Sequence, residues 1–450
     1  MMRLALLSAA VVAALSVGPL SPRLCADNTT PAIVLNISDK LHQTALEAVG
    51  DDPRKAGAAI ESLRGAGIAG LDALLAANSE ALQKKMPAAP GAARVGRGAA
   101  KPAAEDPAWA RIAAAIDAVA MQKDAYASRL YWYTDFEAAK AEARRQNKPI
   151  LSLRMMGKLN EDLSCANSRF FRTTLYPDAE VSQYLRAHFI LHWESVRPVP
   201  VITIDMGDGR KIVRTITGNS IHYVLDSKGR LVDGLPGLYG AKPFLAALDQ
   251  ARKTAISLSK TDTAAFDAGV KRFALERMEQ INAAWAADAS LTDATGKLEA
   301  PTQLQVTNRA KELASATSDE LWAKIAAIHP DYAELDLSTR ALIVAKNPAA
   351  LAMPLAISKL AVESPLMKMI RNLQNSIVLD TVKNEYQMHG KIYQIMLTTN
   401  RLPLAAFNDK VYAEVFLTPR TDPWLGLAQP DVFAAIQNDG LVAPGAAASR

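Results

Sequence analysis

Cysteine is almost missing. The chain has 450 residues and two cysteines, Cys25 and Cys165. That excludes a disulfide-stapled scaffold and the paired-cysteine spacing of a structural zinc site. Long apolar runs are scarce as well. Beyond the N-terminus nothing reaches the about eighteen uninterrupted apolar residues of a spanning helix. The nearest stretch, residues 341–362, is cut by Lys346, Asn347, Pro348, Pro354 and Lys359. No basic stripe with interleaved aromatics is present, so nucleic acid is not indicated and none is expected as a partner. The 51 basic and 46 acidic residues are interspersed, and the net charge is +5. Phosphate loops and nucleophile elbows are absent too.

The N-terminus has a distinct layout. Arg3 precedes an apolar run over residues 4–17, which Gly18 and Pro19 then break. This is the pattern of a secretory leader, with cleavage expected after Ala26. Arg23 and Leu24 stand where a lipoprotein signal before Cys25 would want small residues. The expectation is a periplasmic or secreted protein with no integral membrane segment once the leader is gone. Cleavage removes Arg3 and Arg23 and no acid, so the charge becomes 5 − 2 = +3. Cys165 is then the only cysteine. A lone thiol in an oxidising compartment is either a buried bystander or a group that reacts with a partner.

Composition divides the remainder. Residues 27–83 read as a small helical region. Residues 84–108, dominated by Ala, Pro, Gly, Lys and Arg, read as a disordered linker. Residues 109–258 alternate helix and strand signals, residues 259–440 are helical, and residues 441–450 form a low-complexity tail. Within 109–258, a helix is expected from Trp109 to Ala127, then a short aromatic strand. Thr134-Asp135-Phe136-Glu137 reads as a capping box, and Asn147-Lys148-Pro149 ends its helix. A buried strand follows at 150–153, helices at 165–175 and 179–187, and a strand at 189–193. Residues 199–206 and 211–216 alternate around Gly207-Asp208-Gly209, a hairpin signal. Strands at 221–225 and 230–233 and a helix at 243–257 close the unit. Further helices are expected at 263–286, 304–314, 319–327, 351–362 and 366–397. The order β-α-β-α-β, hairpin, β-β-α predicts an α/β domain, a mixed sheet with helices on both faces, between all-α flanking regions.

Two stretches carry a family resemblance. Asp135-Phe136-Glu137-Ala138-Ala139-Lys140 through Asn147-Lys148-Pro149-Ile150-Leu151 resembles the first helix and second strand of thioredoxin-like domains. Ile221-His222-Tyr223-Val224-Leu225-Asp226-Ser227-Lys228-Gly229-Arg230-Leu231-Val232 resembles their antiparallel strand pair. The resemblance covers roughly residues 125–255. It implies a thioredoxin-like fold whose family chemistry uses C-x-x-C at the start of the second helix, faced by a cis-proline. Here the motif is Cys165-Ala166-Asn167-Ser168, with Ser168 in place of the second cysteine. The facing loop is Gly218-Asn219-Ser220, without proline.

These residues predict monothiol chemistry. A helix N-terminus, Arg169 one turn on, and Arg172 beyond it would hold the Cys165 thiol below its usual pKa. Ser168 cannot resolve a mixed disulfide, so turnover would need a thiol from a partner. The expected catalytic set is Cys165, Ser168 and Arg169, with exported protein thiols or disulfides as partners, no cofactor and no metal. The competing expectation is a non-catalytic binding or scaffold protein, in which the Cys165 sulfur is buried. A third, a copper carrier, would combine Cys165 with His188, His192 or His222. His329 and His389, alone in helical stretches, are expected to be structural.

Overall fold

A computed structural model describes residues 39–85, 106–292, 318–346, 365–427 and 435–441. The chain divides into two compact units, Met1–Asn36 and Ile37–Arg450, and the described residues all belong to the second. The expected leader with Cys25, most of the linker, the helices at 304–314 and 351–362 and nearly all of the tail lie outside the described residues.

Four helices open the unit: α1 (Asp39–Glu47), α2 (Pro53–Gly65), α3 (Ile68–Ala77) and α4 (Ser79–Lys85). Asp52 caps α2 by accepting from the Arg54 and Lys55 amides, with Pro53 in the first turn. Helix α5 (Pro107–Ala120) belongs with them. Its Trp109, Ile116 and Val119 share one hydrophobic cluster with Leu63, Leu71 and Leu74. The expected run to Ala127 is interrupted, because Met121 turns left-handed and a separate one-turn helix, α6 (Ala125–Ser128), follows.

The central sheet has five strands in the order β1-β3-β2-β6-β7: β1 (Trp132–Tyr133), β3 (Ile190–Arg197), β2 (Ile150–Met156), β6 (Ser220–Leu225) and β7 (Leu231–Pro236). β1 and β2 run parallel to β3; β6 is antiparallel to β2 and to β7. Helix α7 (Phe136–Gln146) makes the first crossover. Its cap is Asp135, which accepts from the Ala138 amide; the capping box expected of Thr134 and Glu137 does not form, and Glu137 pairs with Lys140 instead. Asn147, left-handed, ends the helix.

Helix α8 (Ala166–Phe170) runs into a π turn at Phe171–Leu175, and α9 (Ala179–His188) leads into β3. Strands β4 (Val201–Asp205) and β5 (Lys211–Thr215) form a separate two-stranded ribbon. Helix α10 (Ala241–Leu258) closes the α/β part.

The sheet is covered on both sides. Register puts Ser152, Arg154 and Tyr223 on one face and Leu153, Met155 and His222 on the other. On the first face α7 brings Phe136 against His192. On the second, Phe171 and Phe244 of α10 pack against His222.

The later helices are α11 (Thr263–Leu291), α12 (Asp319–Ile328), α13 (Leu337–Lys346), α14 (Pro365–Lys383), a π turn at Asn384–His389, α15 (Gly390–Thr398) and α16 (Leu404–Glu414). The helix expected at 366–397 is thus α14 and α15 joined through one wide turn. These helices share the sheet's own hydrophobic cluster, which runs from Leu130 to Leu425. α16 lies on the sheet's first face, where Tyr223 donates to Asn408 at 3.1 Å and its ring meets Phe407.

Candidate functional site

Cys165 is the N-cap of α8 and is fully buried. Its sulfur accepts from the Ser168 amide at 3.4 Å, and the Ser168 hydroxyl donates to the Cys165 carbonyl at 3.2 Å. Ser168 is fully buried as well. The helix behind the thiol runs five residues before it widens into the π turn, and its first-turn amides at Asn167 and Ser168 face the sulfur.

Burial pushes the Cys165 thiol pKa up, and the bonds from Ser168 and the amides of Asn167 and Met156 only partly oppose it. The sequence-based expectation of a lowered pKa is therefore reversed. The desolvation of a thiolate outweighs a single cap. Arg169 and the sulfur do interact electrostatically, but burial outweighs that interaction. Its guanidinium donates to the Ser164 carbonyl and to the Thr215 hydroxyl of β5, and so ties the ribbon to the loop before α8. Arg172 is buried too, paired with Asp124 at 3.1 Å and Asp162 at 3.6 Å.

The surroundings close over the sulfur. Gly218, in the loop facing the motif, lies so near α8 that a β-carbon there would come within 3.1 Å of the Ala166 amide. Asn167 donates to the Ser220 hydroxyl at 2.9 Å. The segment after α15 then covers this loop. Tyr412 of α16, itself buried, donates to the Asn219 carbonyl at 3.1 Å. The Asn219 side-chain Nδ2 donates to the Thr418 hydroxyl at 2.9 Å. Arg197 donates to the carbonyls of Pro419 and Asp422. Burial lifts the Tyr412 phenol well above its ordinary pKa, and Tyr223 and the Cys165 sulfur add to the rise.

The three histidines of the copper expectation are apart. His192 bonds Ser152 at 2.9 Å on one face of the sheet; His222 bonds the Tyr176 hydroxyl at 2.7 Å on the other. His188, at the end of α9, packs against the Tyr184 ring at a tilt of 58°. Burial lowers the pKa of His192 and of His222 to about 3, so both rings are neutral. Among the described residues no three His, Cys, Asp or Glu side chains converge as a metal-ligand group.

The strongest polar cluster lies elsewhere. Asp233 of β7 and His389 are both buried and 2.9 Å apart. Tyr393 donates to the other Asp233 oxygen at 3.1 Å, and Glu385 stands 3.5 Å from the second imidazole nitrogen. Arg277 of α11 pairs with Glu385 at 2.9 Å. Burial alone would lower the His389 pKa, but the Asp233 and Glu385 carboxylates outweigh it and raise it to about 9. The cluster holds two carboxylates and two cations, a balanced set that satisfies its own charges. It joins β7 to three helical segments. Sequence reasoning placed His389 as structural but could not see its partner, which is 156 residues away. Neither residue sits in a motif.

No family model, curated protein or solved structure matches this chain.

Proposed function

We propose that this protein is an exported thioredoxin-like protein that works by binding, as a scaffold, and not by thiol–disulfide exchange. The strand order, with two parallel crossovers followed by an antiparallel pair, supports the thioredoxin-like reading, as does a cysteine at the start of the second crossover helix. Fold and chemistry separate readily. One observation carries the non-catalytic reading: Cys165 is fully buried and its thiol pKa is raised, beneath a loop that Tyr412 and Thr418 hold down. A thiol exchanges disulfides only as an accessible thiolate. The leader-like pattern of residues 1–26 supports export.

Intact-mass analysis after incubation of the folded protein with glutathione disulfide near pH 8 tests this reading. No adduct at Cys165 is the expected result. Ser168→Cys should gain no disulfide reductase activity, because a second thiol under the same cover is no more accessible. Rapid adduct formation by the folded wild type would overturn the binding reading and restore monothiol exchange.

A further inference from the structure

The ribbon of β4 and β5 is the most apolar exposed feature of the described residues. Val201, Ile204, Met206, Ile212 and Val213 are each 42–54 % exposed. A two-stranded ribbon is marginal by itself, and this one is anchored to the body at its base, where Thr215 donates to the Ser164 carbonyl at 3.0 Å. That anchor holds the base of β5 only, and Lys211 to Arg214 are exposed. The outer edge of β4 is unpaired among the described residues.

Hydrogen bonding fixes which groups that edge offers. Met206 donates to the Arg210 carbonyl and Ile216 to the Pro200 carbonyl, so even-numbered residues of β4 bond inward. Alternation then turns the amides and carbonyls of Val201, Thr203 and Asp205 outward. The charged side chains of the ribbon lie mostly on β5 and the turn, where Lys211 pairs with Asp205 at 3.2 Å and Arg210 with Asp208. The β4 edge therefore carries one charge, Asp205 at its end, and none of the lysines that normally protect a free edge.

We propose that β4 pairs antiparallel with β4 of a second copy about a two-fold axis through Thr203. The register is self-complementary. Thr203 meets Thr203 of the second copy and Val201 meets Asp205, each pair with outward backbone groups on both sides. Ile202 then faces Ile204 across the close, non-bonded positions. No like charges oppose one another. The result is a four-stranded sheet in which Ile212, Ile204 and Ile202 form one continuous apolar stripe. This dimer is independent of the state of Cys165, so failure of the binding reading leaves it standing.

Sedimentation equilibrium of the full chain tests it, with Thr203→Pro and Ile204→Asp. Proline at 203 removes an outward N–H and none of the bonds to β5. The wild type should sediment as a dimer, and each variant should weaken association at least about tenfold with an unchanged circular dichroism spectrum. Ile204→Asp decides the matter if Thr203→Pro fails to fold. A mixture of Ile202→Cys and Ile204→Cys proteins should cross-link on mild oxidation, and either alone should not. A monomeric wild type overturns the proposal. So does a dimer that Ile204→Asp leaves intact, or cross-linking in any pattern other than 202 with 204.

Discussion

His389 should make the stability of this protein fall with rising pH. Its folded-state pKa is about 9 against an ordinary value of 6.5, so the folded state binds the proton more tightly than the unfolded chain does. The resulting stabilisation is fully present below the unfolded pKa and is lost as pH climbs through the folded one. A shift of about 2.5 units corresponds to roughly 3 kcal/mol. Most of that should disappear between about pH 6 and pH 9. Urea denaturation across this range measures it directly. Because Cys165 and other groups also titrate, the informative quantity is the difference from His389→Gln. That variant should have lost the slope. At about pH 6 it should also be less stable by about 3–5 kcal/mol, since Asp233 is left buried without its cation. Near pH 9.5 the two proteins should approach each other. A wild-type slope equal to that of His389→Gln would refute the charged Asp233–His389 pair.

Three further perturbations should behave as follows. Gly240→Ala places a β-carbon 1.6 Å from the Tyr332 carbonyl oxygen, a backbone atom, so calorimetry should record a loss of about 3 kcal/mol. Arg172→Leu should cost about 3 kcal/mol by urea denaturation, at the lower end for a broken buried pair because Lys346 still faces Asp124 at 2.8 Å. Adding Asp124→Leu should recover part of that loss. Tyr412→Phe removes the bond to the Asn219 carbonyl; it should cost about 1 kcal/mol and speed alkylation of Cys165.

The α/β elements were legible because each has a local signal. Alternation marked the β4–β5 ribbon, and Asn147-Lys148-Pro149 marked the end of α7. Where several polar residues competed, the local rule chose wrongly: Asp135 took the cap offered by Thr134, because its carboxylate reaches the Ala138 amide. Helices α13 and α16 carried weak periodicity and were missed. The site was legible only as a position. Cys165 was rightly placed at a helix start, but its electrostatics depend on what lies above it, and that cover comes from Tyr412 and Thr418, far along the chain. The same distance hid the pairing of Asp233 with His389.

The most direct measurement is the alkylation rate of Cys165 in the folded protein relative to the unfolded chain, taken at one pH over a series of low urea concentrations. A sealed thiol should react at least about a thousandfold more slowly when folded, equivalent to an opening free energy of about 4 kcal/mol. Its rate should rise with urea as the cover over the Gly218–Ser220 loop opens. A folded-state rate within tenfold of the unfolded one, insensitive to urea, would contradict the burial of Cys165 and the binding reading that rests on it.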